Sequence, residues 1–113
     1  MDAKYESGKT GLEAFLEPWQ IIALNIVWKS DKPIKSKDVW IQANQRYPLT
    51  ISRASIINFL QYMMNQGVLE GIDATGKGGH YNLYRPQMNE TEYKTAMVKT
   101  ILSKIRELSP SLF

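Results

Sequence analysis

The sequence predicts a mainly helical domain carrying one small β-hairpin, and three observations lead there. Apolar residues recur at helical spacing in successive stretches before residue 67. A glycine-rich turn then separates two short alternating runs between residues 68 and 85. Helical spacing returns from Asn89 to near the end. With 113 residues the chain holds one core and is too short for two.

The first helix contains Leu16 to Lys29. Pro18 suits its first turn, and Ile21, Leu24, Val27 and Trp28 share a face before Ser30, Asp31, Lys32 and Pro33 end it. Thr10 and Glu13 have capping-box spacing, so an earlier helix or a continuation back to Gly11 stays open. Ser36 opens a second helix, with Asp38 near its positive end, a buried stripe of Val39, Trp40, Ala43 and Tyr47, and Pro48 as its stop. Ser52 caps a third helix that runs to Gln66, where Gly67 supplies the left-handed terminating position. Ile56, Phe59, Leu60 and Met63 form its inner side, with Ile57 and Met64 at the margin. Ala54, Ser55, Asn58, Gln61, Tyr62 and Asn65 form the opposite side.

Beyond Gly67 the period falls to two. Val68 to Asp73 and His80 to Arg85 read as strands around a turn at Thr75 to Gly79. Asn89 with Glu92 then caps a last amphipathic helix ending near Ser109 and Pro110. Its apolar stripe comprises Tyr93, Met97, Val98, Ile101, Leu102, Ile105 and Leu108, too wide to leave in water, so it packs on its own domain or on a second chain. A dimer is the expectation, because one small reader makes few base contacts.

Three helices followed by a hairpin is the order of a winged helix-turn-helix, whose second motif helix enters the major groove of duplex DNA. Residues 16–86 are read as that domain, 1–15 as an N-terminal extension, and 87–113 as the dimerisation helix. The DNA-facing candidates are Ser52, Arg53, Ala54, Ser55 and Asn58, with Tyr62 further along, since short polar side chains read base edges. Lys77 and His80 on the wing, and Lys35, Ser36 and Lys37 at the start of the second helix, are placed to meet phosphate.

Charge is compatible with this. The chain carries a net +3, and its placement matters more than its sum. Met1 to Glu17 has two lysines against four acids, whereas Pro18 to Asn89 has eight basic residues against four acidic. A solvated surface of ordinary composition accounts for that surplus as well as a polyanion site does.

Other classes find less support. There is one histidine, no cysteine, and no carboxylate pair set beside another catalytic group, so no nucleophile, metal cluster or acid–base pair can be argued and no enzyme, metal or cofactor is expected. The glycine-rich turn lies between strands, whereas a phosphate loop opens onto a helix. Absence of cysteine suits a reducing cytoplasm, and neither a signal peptide nor a membrane span is expected. The rival reading is a protein-interaction module, or an architectural nucleic-acid binder without operator specificity.

An ordered set of residues also resembles the penicillinase repressor family, the BlaI and MecI type. It comprises Leu16 and Pro18, Leu24 to Trp28, Lys32, Pro33, Ile34 and Ser36, Ser55 to Leu69, then Tyr84, Pro86, Asn89, Glu92 and Tyr93. The resemblance implies a homodimeric repressor that places two recognition helices in successive major grooves of a palindromic operator. It puts Ala54, Ser55, Ile57 and Asn58 on or near the DNA-reading surface. Ile57 departs from the polar or basic residue frequent there. The region after the wing fits about one helix where the family usually has several, so Met1 to Phe15 are left as a candidate addition to the dimer. The family's inducible Asn-Phe cleavage bond has no counterpart after the wing, since Asn58-Phe59 lies within the third helix, and the cysteines of copper-responsive members are missing. The effector is left unassigned.

Overall fold

The computed structural model describes residues 11–109. A 3-10 turn at Leu12–Ala14 precedes α1 (Pro18–Lys29), β1 (Ile34–Lys35), α2 (Ser36–Arg46), α3 (Arg53–Asn65), β2 (Leu69–Gly76), β3 (Gly79–Pro86) and α4 (Glu90–Leu108). The strands form one antiparallel sheet in the order β1-β3-β2. This is a winged helix, mainly α with a β-hairpin wing.

Helix α1 begins two residues later than the sequence suggests. Glu17 is extended, its main-chain amide donates to Gln20 Oε1 at 2.9 Å, and Pro18 takes the first turn, where a missing N–H costs nothing. The stretch before it is a separate 3-10 turn rather than a continuation of α1, because Gly11 enters it with positive φ and Glu17 breaks the helical dihedrals. Thr10 lies outside the described residues.

Ala23, Leu24, Ile26 and Val27 bury two sides of α1, making it the central helix. Val39 and Ala43 of α2 and the inner face of α3, Ile56, Phe59, Leu60 and Met63, close on it, with Leu12, Ile51, Val68, Leu69 and Tyr84 completing the core. Burying each large apolar side chain contributes about 1.5–3 kcal/mol, so the four on α3 lock that helix by one face. The opposite face stays free.

The turn between α2 and α3 is fixed by side chains. Asn44 Oδ1 accepts the Ile51 amide at 2.8 Å, and Asn44 Nδ2 donates to the Ile51 carbonyl at 3.1 Å. Trp40 Nε1 donates to the same carbonyl at 2.9 Å. Ser52 Oγ then accepts the Ser55 amide at 3.0 Å, capping α3 as expected from the sequence. At the other end Gly67, at φ 79, closes a Schellman motif: its amide donates to Met64 O, and the Val68 amide donates to Met63 O at 3.0 Å.

Two features of the wing differ from expectation. Its turn is tighter, because Gly76 pairs with Gly79 and only Lys77 and Gly78 remain between the strands. Gly79, at φ 98, supplies the left-handed position that follows a tight turn in such hairpins. A third strand was also unforeseen: Ile34 pairs with Tyr84 and Lys35 with Leu83, which stitches the start of α2 to the base of the wing.

Helix α4 opens with the predicted capping box, Asn89 Oδ1 accepting from the Glu92 amide and Glu92 Oε1 accepting from the Asn89 amide, both at 2.8 Å. Trp28 Nε1 donates to the Met88 carbonyl at 2.8 Å and ties this junction to α1. The stripe read from the sequence divides here. Tyr93 is a core residue of its own chain, 4% exposed and packed beside Phe15 and Trp28 at ring separations of 6.4 and 6.2 Å, so it is not a free dimerisation surface. Met97 is half-buried against the same core, whereas Val98, Ile101, Leu102, Ile105 and Leu108 are exposed.

Candidate nucleic-acid interface

The N-terminus of α2, the N-terminus of α3 and the wing meet around a concavity of about 670 Å³. Lys35, Ser36 and Lys37 come from the first, Arg53 from the second, and Gly76, Lys77, Gly78, His80 and Tyr81 from the third. Six sequence-predicted residues, from Lys35 to His80, are thereby brought together. The cause is the β1–β3 pairing, which places Lys35 next to the strand leading from the wing tip.

Lys35, Lys37, Arg53 and Lys77 bring four basic side chains, and among the described residues no acidic one lines the concavity. Four unopposed cations around one depression attract a polyanion, and each phosphate they neutralise releases counterions. Helix ends add to this field. Helix α2 starts without a side-chain cap, because its cap position is Lys35, whose ammonium has no acceptor to offer, so its first amides carry the helix's positive pole toward the concavity. Arg85, counted with the basic surplus, is engaged elsewhere: its Nε donates to Glu70 Oε1 at 2.8 Å across the wing.

Tyr81 was not singled out in the sequence. Its ring lies under Lys35, with Nζ 5.6 Å from the centroid, and against Gly76, where an added Cβ would come within 3.1 Å of the ring. The ring holds the lysine stem and the wing backbone in place. The alternation of β3 shows which residues share Tyr81's face, but not that this face meets Lys35.

Three further candidates, Ser55, Asn58 and Tyr62, border a second, shallower depression of about 320 Å³ lined also by Trp19, Gln20 and Phe59. Ser55 is half-buried and receives the Ser52 hydroxyl hydrogen at 2.8 Å, so part of its hydrogen-bonding capacity is committed to the cap. Asn58 and Tyr62 are exposed. Ser52, the cap of α3, and Ala54 in its first turn are exposed and line neither depression. Trp19 and Gln20 are additions from α1, brought there by the edge-on packing of Trp19 against Phe59 at 5.6 Å.

Among the described residues no group of histidine, cysteine, aspartate or glutamate could hold a metal ion, and no helix is long and apolar enough to cross a membrane. No curated protein matches the chain. The fold is similar to the crystal structure of a PadR family transcription regulator from hypervirulent Clostridium difficile R20291, at a TM-score of 0.54 and 14% identity, over 85% of this chain and 98% of that one. Residues 18–113 match the penicillinase repressor family. With the match running from the first residue of α1 through the helix-turn-helix and wing, the chain belongs to the penicillinase repressor family and is a DNA-binding transcriptional regulator of the winged-helix type.

Proposed function

We propose that the chain is a homodimeric repressor that reads a palindromic double-stranded operator, with α3 in the major groove and the wing on the adjacent backbone. The carrying observation is the concavity whose lining, among the described residues, joins four basic side chains and no carboxylate from α2, α3 and the wing. Lys35, Lys37 and Lys77 neutralise phosphates, with His80 beside them, and the uncapped start of α2 supports the same contacts. Ser52, Arg53, Ala54, Ser55 and Asn58 are set along the free face of α3, the face that bases meet, and Tyr62 extends it. Residues 16–86 act as the reader and 87–113 as the dimerising part. The exposed apolar residues of α4 support the second assignment. A cytoplasmic protein without catalytic activity fits this role.

The test is fluorescence anisotropy with an operator taken from genomic footprinting. Arg53→Ala and Lys77→Ala are expected to weaken binding on all sequences and to lower the salt slope by about 1 each. Asn58→Ala is expected to cost about 1–3 kcal/mol on the cognate site and to relax preference at one base pair. Undetectable affinity at low salt, or affinity unmoved by these changes, would sink the reading.

A further inference from the structure

The register of the sheet sets Tyr81 between a lysine and a glycine. Lys35 pairs with Leu83, and Tyr81 pairs with Ala74. Paired residues and alternate residues of a strand share a face, so Lys35, Leu83, Tyr81, Ala74 and Gly76 lie on one side of the sheet. Strand β1 ends at Lys35, where the chain turns into α2. On that side of Tyr81 no strand follows, and the Lys35 side chain reaches the ring instead, with Nζ 5.6 Å from its centroid. From β2, Gly76 leaves the ring its room, since a Cβ there would come within 3.1 Å of it. The ring is 39% exposed, so burial in the core does not account for its place.

What the contact does follows from the lysine. A lysine free in water populates many rotamers and gives most of them up when its ammonium meets a phosphate. A ring at this distance attracts the ammonium and offers apolar surface to the stem. The ordering cost is then met before the anion arrives, which raises affinity without adding a contact. Among the described residues no acidic side chain lines the concavity to hold Lys35 in the ring's stead.

We propose that Tyr81 is a positioning residue for nucleic-acid binding: its ring, packed on Gly76, holds the Lys35 ammonium ready for a phosphate, so that a contact made from the start of α2 depends on a side chain of the wing. This rests on the phosphate role proposed above for Lys35. The ring carries the effect and the hydroxyl is dispensable. Wing and helix-turn-helix thereby make one phosphate contact jointly, and whatever displaces the wing also releases Lys35.

Two measurements on the full chain test this. Without nucleic acid, the Lys35 methylene protons nearest the ammonium are expected to resonate upfield in the NMR spectrum through the ring current of Tyr81. That shift is expected to persist in Tyr81→Phe and vanish in Tyr81→Leu. With a mixed-sequence duplex at low salt, Tyr81→Leu is expected to weaken binding about two- to fivefold, the range of an exposed cation–ring contact, and Tyr81→Phe to bind as the wild type does. In a Lys35→Ala background Tyr81→Leu is expected to cost nothing further, which separates positioning from a general loosening of the wing. Three results each overturn the proposal: no upfield shift in the wild type, equal losses for Tyr81→Phe and Tyr81→Leu, or the full Tyr81→Leu loss repeated without Lys35. If Lys35→Ala weakens binding and Tyr81→Leu does not, the positioning role fails and the phosphate role of Lys35 stands. If the wild type binds no duplex, or Lys35→Ala leaves affinity unmoved, the phosphate role fails and the positioning role with it.

Discussion

Asn44 and Ile51 are bonded reciprocally, the side-chain amide of one against the backbone amide and carbonyl of the other, at 2.8 and 3.1 Å. The pair spans the whole turn between α2 and α3 and sets the angle at which α3 leaves the body. Asn44→Ala leaves partly buried backbone groups short of partners, at a cost of about 1–3 kcal/mol. Thermal or urea unfolding measures this, and the loss of operator affinity is expected to exceed that of a surface control such as Gln45→Ala.

Trp28 acts similarly at the other end of the molecule. Its indole N–H donates to Met88 O, the residue before the α4 cap. Trp28→Phe keeps most of the packing and loses the bond, a cost of about 0.5–1.5 kcal/mol. Amide exchange at Glu92 and Tyr93 is expected to accelerate more than exchange within α3. Uniform acceleration would argue against a local tether.

The Tyr93 phenol sets an alkaline limit. Its pKa is raised in the folded chain, first by burial and then by the Tyr62 phenol. The folded state therefore holds the proton more tightly than the unfolded state. The resulting stability is fully present below the unfolded pKa, about 10, and is lost as pH rises through the higher folded value. Tyr93→Phe is expected to flatten the fall in melting temperature above about pH 10 relative to wild type. An unchanged slope would remove Tyr93 as its source.

The exposed part of α4 carries the dimer prediction. Ile101 and Ile105 are 40% and 38% exposed and lie one helical turn apart. The double substitution Ile101→Asp and Ile105→Asp places charge on that face without touching the core. Sedimentation is expected to give twice the chain mass of 13.0 kDa for wild type and the single mass for the variant. A wild type of single mass at micromolar concentration refutes the dimer.

Caps and faces were legible in the sequence because they depend on neighbours a few residues apart. Ser52, Gly67, Asn89 and Glu92 all stand where the sequence put them. The inner face of α3 was legible for the same reason. The two-residue strand Ile34–Lys35 was not, since two residues have no period and its partners lie about fifty positions away. Helical spacing showed that Tyr93 and Ile101 share a stripe but not what covers it, and the chain itself covers Tyr93. Of the interface, the charges and the α3 face were visible beforehand. The stacking of Lys35 on Tyr81 and the addition of Trp19 and Gln20 needed the tertiary packing.

That short strand also sets the mechanics of the wing. Three strands run together only as far as Leu83, and beyond it Asn82 to Gly79 pair with Asp73 to Gly76 alone. The wing is thus a cantilever, clamped at its root by the sheet and the buried Tyr84, and compliant toward its tip, where Lys77 and His80 sit. A two-stranded ribbon bends at lower energy than a three-stranded one, so those two side chains can shift while α3 keeps its angle. If the operator reading proposed above holds, sequences that narrow or widen the groove would deflect the tip differently, and the elastic cost of that deflection would make groove width a quantity read without touching a base.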